Sequence, residues 1–247
     1  MPLNTRTRSA YQTCCLTALA FLLAATPAGA GDVAERDILG FDDDARHFAF
    51  EVFGRQDGSG FPYAEITIID LLNDTWVGGS PFRVRIEDET MSVTTARDQV
   101  RSDAEASLTS LGIVAPYALL ASNPPTELDA DQTRVTFRPR AVLADIEPSR
   151  TVTLETFTLP AAEICEAFGD MKGLALTIET DGEATEIYRD DNIPESRGCP
   201  LDYGISDIIV PFEGDSWRAV ALISVFQVGF EGPDRRFIAV PVPLEAK

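Results

Sequence analysis

The chain has 247 residues, with 40 Asp and Glu against 20 Lys and Arg and a formal charge of −20. A surface this negative repels nucleic acid and anionic lipid, so neither is expected as a partner. The single histidine and four cysteines argue against a zinc site, which normally takes three or four His/Cys ligands. No phosphate-binding loop or dinucleotide fingerprint occurs either.

Arg6 and Arg8 give the chain a positive start, Leu16 to Ala25 is a short apolar run, and Ala28-Gly29-Ala30 supplies small residues at cleavage-site spacing. This pattern is a secretory signal peptide cut after Ala30, leaving 31–247 as one β-rich exported domain. The run is too short to span a bilayer well, and no later segment is apolar enough to do so. Cys14 and Cys15 lie at the start of the run, not at its end, which argues against a lipidated cysteine at the cut. Residues 1–30 hold two arginines and no acid, so cleavage makes the domain still more acidic. Cys165 and Cys199 are then the remaining cysteines, and an oxidising compartment favours a disulfide between them.

In chain order, Asp42–Asp44 form a turn before His47–Phe53. There Phe48, Phe50 and Val52 share one face and His47, Ala49 and Glu51 the other, the period of a half-buried strand. Gly54, Gly58 and Gly60, with Asp57 and Ser59, make a loop. Ala64 to Leu71 is a second, β-branched strand. The turn, the apolar strand and the second strand resemble the opening of a Tol-type β-propeller blade over about thirty residues. No second copy follows, so a complete propeller is not expected. The next stretch passes through Trp76, Gly78-Gly79 and Pro81 into a short alternating strand at Phe82–Ile86.

From Glu89 the period changes. Val93, Ala96, Val100, Ala104, Leu108 and Leu111 recur every three or four residues, which predicts an amphipathic helix over about 90–111 packed on the core. Asp88 or Thr90 would cap its start and Gly112 would stop it. Ser122–Gln132 is a loop by composition and a candidate boundary between two lobes. Strands are expected at Arg134–Phe137 and Val152–Leu159. A short helix over about 161–168 follows Pro160 and carries Cys165. Asp181-Gly182 joins Gly173–Thr180 to Glu183–Arg189 as a hairpin. Further strands are Ile205–Phe212, Trp217–Phe230 and Phe237–Val242. The second of these is apolar on both faces and therefore central. Pro241 and Pro243 place the third at an edge. The fold class is mainly β (α+β), built of antiparallel sheets with one long helix and one short one.

The segments QDGSGFPYAEI and GFEGPDRRFIAV resemble a family of bacterial predicted secreted proteins of unknown function, over most of the exported domain. The resemblance implies export in Gram-negative bacteria, hence a periplasmic location, and it implies no catalytic residues.

Candidate chemistry is sparse. His47 would have to be the base of any serine triad, and Asp57-Gly58-Ser59-Gly60-Phe61 is not a nucleophile elbow. Asp42, Asp44, Asp57, Asp190 and Asp191 lie in oxygen-rich loops of the hardness calcium prefers, though none forms a helix-loop-helix site. Arg235-Arg236 offers an anion site or a local salt bridge. Phe61 and Tyr63, with His47, Arg235 and Arg236, are candidates for a binding surface. The leading expectation is a noncatalytic periplasmic binding or interaction module, with no cofactor and with a periplasmic protein as a candidate partner. The alternatives are a carboxylate hydrolase, with or without calcium, and a structural envelope protein.

Overall fold

A computed structural model describes residues 31–113, 116–140, 147–212 and 218–244. The expected signal peptide and Trp217 lie outside these. Four layers are stacked in the order helix, sheet, sheet, sheet.

The first sheet holds β1 (Glu35–Phe41), β2 (His47–Arg55), β3 (Pro62–Asp70) and β4 (Thr75–Trp76) in sequence order, with β5 (Phe82–Arg85) also paired to β3. Helix α1 (Val93–Leu111) then crosses its outer face. The chain next supplies β6 (Tyr117–Ser122), β7 (Arg134–Phe137), β8 (Arg150–Leu159), β9 (Met171–Thr180) and β10 (Glu183–Arg189). It ends with β11 (Pro200–Pro211), β12 (Arg218–Gln227) and β13 (Asp234–Pro243). The middle sheet has the order β13-β12-β11-β6 and the third sheet β10-β9-β8-β7. Every strand pair within the three sheets is antiparallel.

The middle sheet explains the run that is apolar on both sides. In β12, Val220 and Leu222 face the first sheet, while Ala219, Ala221, Ile223 and Val225 face the third. Full burial of a side chain such as Leu222 stabilises by about 1.5–3 kcal/mol. Strand β13 is at the sheet's edge, where its two prolines remove no donor from a central ladder.

Strand β2 departs from the half-buried expectation. Phe48, Phe50 and Val52 pack towards the middle sheet, while Ala49 packs beneath α1 with Ala96, Val100 and Ala104. Glu51 on that same covered face is 0% exposed. It is tolerated because Arg97 and Arg101 reach it from α1 at 2.9 and 2.5 Å, and both also bind Asp37. The Arg97 guanidinium in turn lies 3.8 Å over the Phe53 ring.

The helix starts later than its periodicity suggested. Ser92 is the N-cap, its hydroxyl accepting from the Thr95 N–H, and Asp88 instead binds Thr90 in the preceding turn. Gly112 ends the helix at φ 69°, a left-handed angle that suits glycine. The short helix is a 3-10 segment, Glu163–Phe168, too brief for an α-helical ladder. The β2–β3 hairpin is part of this helix-covered sheet, and the described strands show no radial blade arrangement. Residues 123–133 connect the middle sheet to the third, and those two sheets share one core. The Cys165–Cys199 disulfide joins the 3-10 segment to the start of β11 across a sequence separation of 34. A loop of this size is worth about 3–4 kcal/mol on the chain-entropy model.

Candidate functional site

The site follows from strand alternation and from where the middle sheet stops. Phe50 pairs with Thr67 and Val52 with Glu65, so Thr67 and Glu65 share the inward face of the first sheet with those apolar residues. Glu65 pairs in turn with Arg83, and Tyr63 with Arg85. Under β2 this inward face is covered by Val220, Leu222 and Phe237 of the middle sheet. Under β3 and β5 it runs past the edge strand β13, and its side chains turn from apolar to charged.

A groove results. One part, of about 440 Å³, is lined by Gln56, Tyr63, Glu65, Arg83 and Arg85 on the first sheet, by Gln227, Arg236 and Phe237 on the middle sheet, and by Ser196 and Arg197 of the turn before β11. A second part, of about 310 Å³, continues from Glu65, Arg83 and Arg197 to Thr67, Asp74, Trp76 and Tyr188.

Arg197 forms the floor, and its charge is held by a buried network. It donates to Asp190 at 2.5 Å, to the Tyr188 hydroxyl at 2.9 Å and to the Tyr203 hydroxyl at 3.4 Å. Asp190 also accepts from the Leu174 N–H and from Tyr188, and Tyr203 donates to the Lys172 carbonyl. Burial pushes both tyrosines up to about 12.

At the other end Arg236 binds Asp32 at 2.7 Å and Asp234 at 3.3 Å, and stacks 5.1 Å from the Tyr63 ring. Tyr63 also donates to Asp32. Burial raises the Asp32 carboxyl above the usual range, although Arg236 and Tyr63 pull it down. Arg83 and Arg85 are half-exposed and pair with Glu65 and Glu87. Such exposed pairs contribute little, so an incoming carboxylate can replace the resident one at small cost. Each guanidinium keeps further donors in a fork that suits planar anions.

Of the residues singled out from sequence, Tyr63 and Arg236 meet in the groove. Arg235 points elsewhere, donating to the Ala34 carbonyl beside the Phe237 ring. Its Nε is buried without a hydrogen-bond partner, and desolvation lowers its proton affinity. Phe61 closes the hairpin loop through its carbonyl, which accepts from the Gln56 N–H. His47 is at the opposite end of β2, its Nδ1 2.6 Å from Asp42.

Asp57 accepts from the Glu231 N–H at 2.7 Å, and a Cβ on Gly58 would stand 3.1 Å from the Phe230 ring. The two segments that carry the family resemblance therefore touch. The acidic turns do not converge. Asp42 caps the turn before β2, Asp190 belongs to Arg197, and Asp44 and Asp191 are exposed. Among the described residues no three His, Cys, Asp or Glu side chains are grouped to hold a metal ion. No helix among them is long and apolar enough to cross a membrane.

Sequence reasoning missed Glu65, Arg83, Arg85, Trp76, Ser196 and Arg197. Arg83 and Arg85 alternate with Phe82 and Val84 and read as a solvated face. The one available signal was Arg197 itself, a lone cation in a loop from Asp190 to Pro200 whose other charged residues, Asp190, Asp191 and Glu195, are acids.

The fold and groove define a layered α+β domain with an arginine-lined cleft at a sheet edge. The chain belongs to the family described as predicted secreted protein (DUF2259), whose model matches residues 49–243, from within β2 to the end of β13. It is thus a predicted secreted protein of a family without an assigned function. No curated protein and no solved structure gives a significant match to it.

Proposed function

We propose that the protein is a noncatalytic binding module of the Gram-negative periplasm, and that the groove beside β13 holds an anionic ligand. The observation that carries this reading is the gathering of guanidinium groups on one lining. The larger part of the groove is lined by four arginines and one glutamate, in a chain of formal charge −20. Guanidinium groups fixed along a partly apolar wall are the usual means of orienting a carboxylate or phosphate.

The test is thermal unfolding of residues 31–247 with succinate, citrate, phosphate, galacturonate and calcium, each added alone. An anion at a hundred times its dissociation constant stabilises by about 2.7 kcal/mol, or about 5–10 °C for a domain of this size. The shift should vanish in R83A/R85A. A shift with calcium alone would instead move the site to the acidic turns. No shift with any anion would sink the proposal.

The placing of two acids favours a second reading, carboxylate hydrolysis. Glu65 and Asp74 both line the smaller part of the groove, and Glu65 is ion-paired to Arg83. Desolvation between the groove walls raises the Asp74 carboxyl, although its outer side stays exposed. Two carboxyls in unlike surroundings are what an acid–base pair requires. Release of reducing ends from acidic polysaccharides by wild type but not by D74N would establish it.

A further inference from the structure

We infer that the ligand of this groove is an oligosaccharide that carries carboxylates, with Trp76 as the platform on which one ring stacks. The inference rests on the groove's being the binding site.

Trp76 is 47% exposed, although it is the largest side chain on the smaller part of the wall. It is not on a free loop. Its backbone pairs with Ile69 through β4, and the Arg83 guanidinium lies 5.9 Å from its ring. The platform is therefore held in place before anything binds. The face of an indole ring is negative, and it suits the outward C–H groups of a pyranose, which are weakly positive. Beyond it, Gln56, Gln227 and Ser196 offer neutral donors and acceptors to hydroxyls.

The placing of charge selects among anions. From Tyr63 to Ile69 the groove follows β3 for about 20 Å at the usual rise per residue. Arg85 and Arg236 stand at its Tyr63 end, Arg83 is opposite Glu65 and reaches towards Trp76, and Arg197 lines both parts. A polymer with one carboxylate per ring matches such spacing, whereas a mononucleotide concentrates its charge in one phosphate. A peptide added as a strand to β13 is disfavoured, because Pro241 and Pro243 lack N–H groups and Val33 already bridges Arg235 on that edge.

The experiment is calorimetric titration of residues 31–247 with tetramers of galacturonate, mannuronate and guluronate, beside maltotetraose, succinate and AMP. At least one acidic tetramer should bind and maltotetraose should not. W76A should weaken that binding about tenfold, while W76F should largely restore it. The exposure of Trp76 makes a folded W76A expected, and its thermal midpoint checks this.

If succinate binds as well as the tetramers and W76A changes nothing, the saccharide inference falls and the anion groove stands. Tighter binding of AMP, or equal binding of maltotetraose, also overturns it. If no probe binds at all, both readings fail.

Discussion

Arg197→Met should be the most damaging single change in the groove. The Arg197 side chain is 7% exposed and that of Asp190 is 1% exposed, so the pair is removed from water almost completely. Taking away one member of a buried pair costs about 3–5 kcal/mol, because the other charge is stranded. Here the lower end applies. Asp190 keeps the Leu174 N–H at 2.9 Å and the Tyr188 hydroxyl at 2.7 Å, which offset part of the loss. About 3 kcal/mol corresponds to a fall in the thermal midpoint of about 6–12 °C at this chain length.

The assay is thermal unfolding of wild type, R197M, D190N and the double variant, with the disulfide intact. D190N/R197M should recover part of the loss, because no charge is left unpaired. The coupling between the two sites should be about 1–3 kcal/mol. A midpoint change under about 2 °C for R197M, or strictly additive effects, would refute the buried network and with it the rigid floor of the groove.

Alkaline pH should act on the same network. Tyr188 and Tyr203 have folded values near 12, raised first by burial, against about 10 when unfolded. Their contribution is complete below about pH 10 and is lost as pH rises through about 12. The unfolding midpoint, followed with phenolate absorbance, should drop across that window; a flat profile would count against burial. Glu51→Ala leaves Arg97 and Arg101 with Asp37 as their remaining carboxylate, and should cost about 1–3 kcal/mol by urea denaturation. A cost within about 0.5 kcal/mol would mean that the site is open to water. Ser92→Ala removes the hydroxyl that caps α1 and should cost about 1 kcal/mol, whereas Asp88→Ala should cost less. Reduction of Cys165–Cys199 should lower stability by about 3–4 kcal/mol, and intact mass after alkylation should report two free thiols only after reduction.

Much of the fold could be read from local pattern. The hairpin at Asp181-Gly182 was legible because both residues have positive φ, 52° and 83°, which few pairs adopt readily. The central place of β12 was legible because no half-exposed strand would place Val220, Leu222 and Ile223 together. Strands β1 and β6 were not. ERDILGF mixes charge with apolar residues, since Arg36 is used in a bidentate pair with Asp207. YALLAS has no clean period, since it is a partly exposed edge strand. The cap of α1 was misplaced because Asp88, Thr90 and Ser92 are all good capping residues, and only the backbone turn selects one.

The groove was illegible for a different reason. Alternation in β5 tells which residues face away from α1, but not whether anything lies opposite them. That depends on register between sheets far apart in sequence. Strand β13 stops short of β3, so Glu65, Arg83 and Arg85 look into a space bounded by Phe237 and Ile238, which come from the far end of the chain. The same charged residues under a wider middle sheet would be buried without water and would destabilise it. With the sheet ending at β13, they keep their partial hydration and their access to a ligand. The arginines and the narrow middle sheet are therefore one feature, since each is tolerable only in the presence of the other.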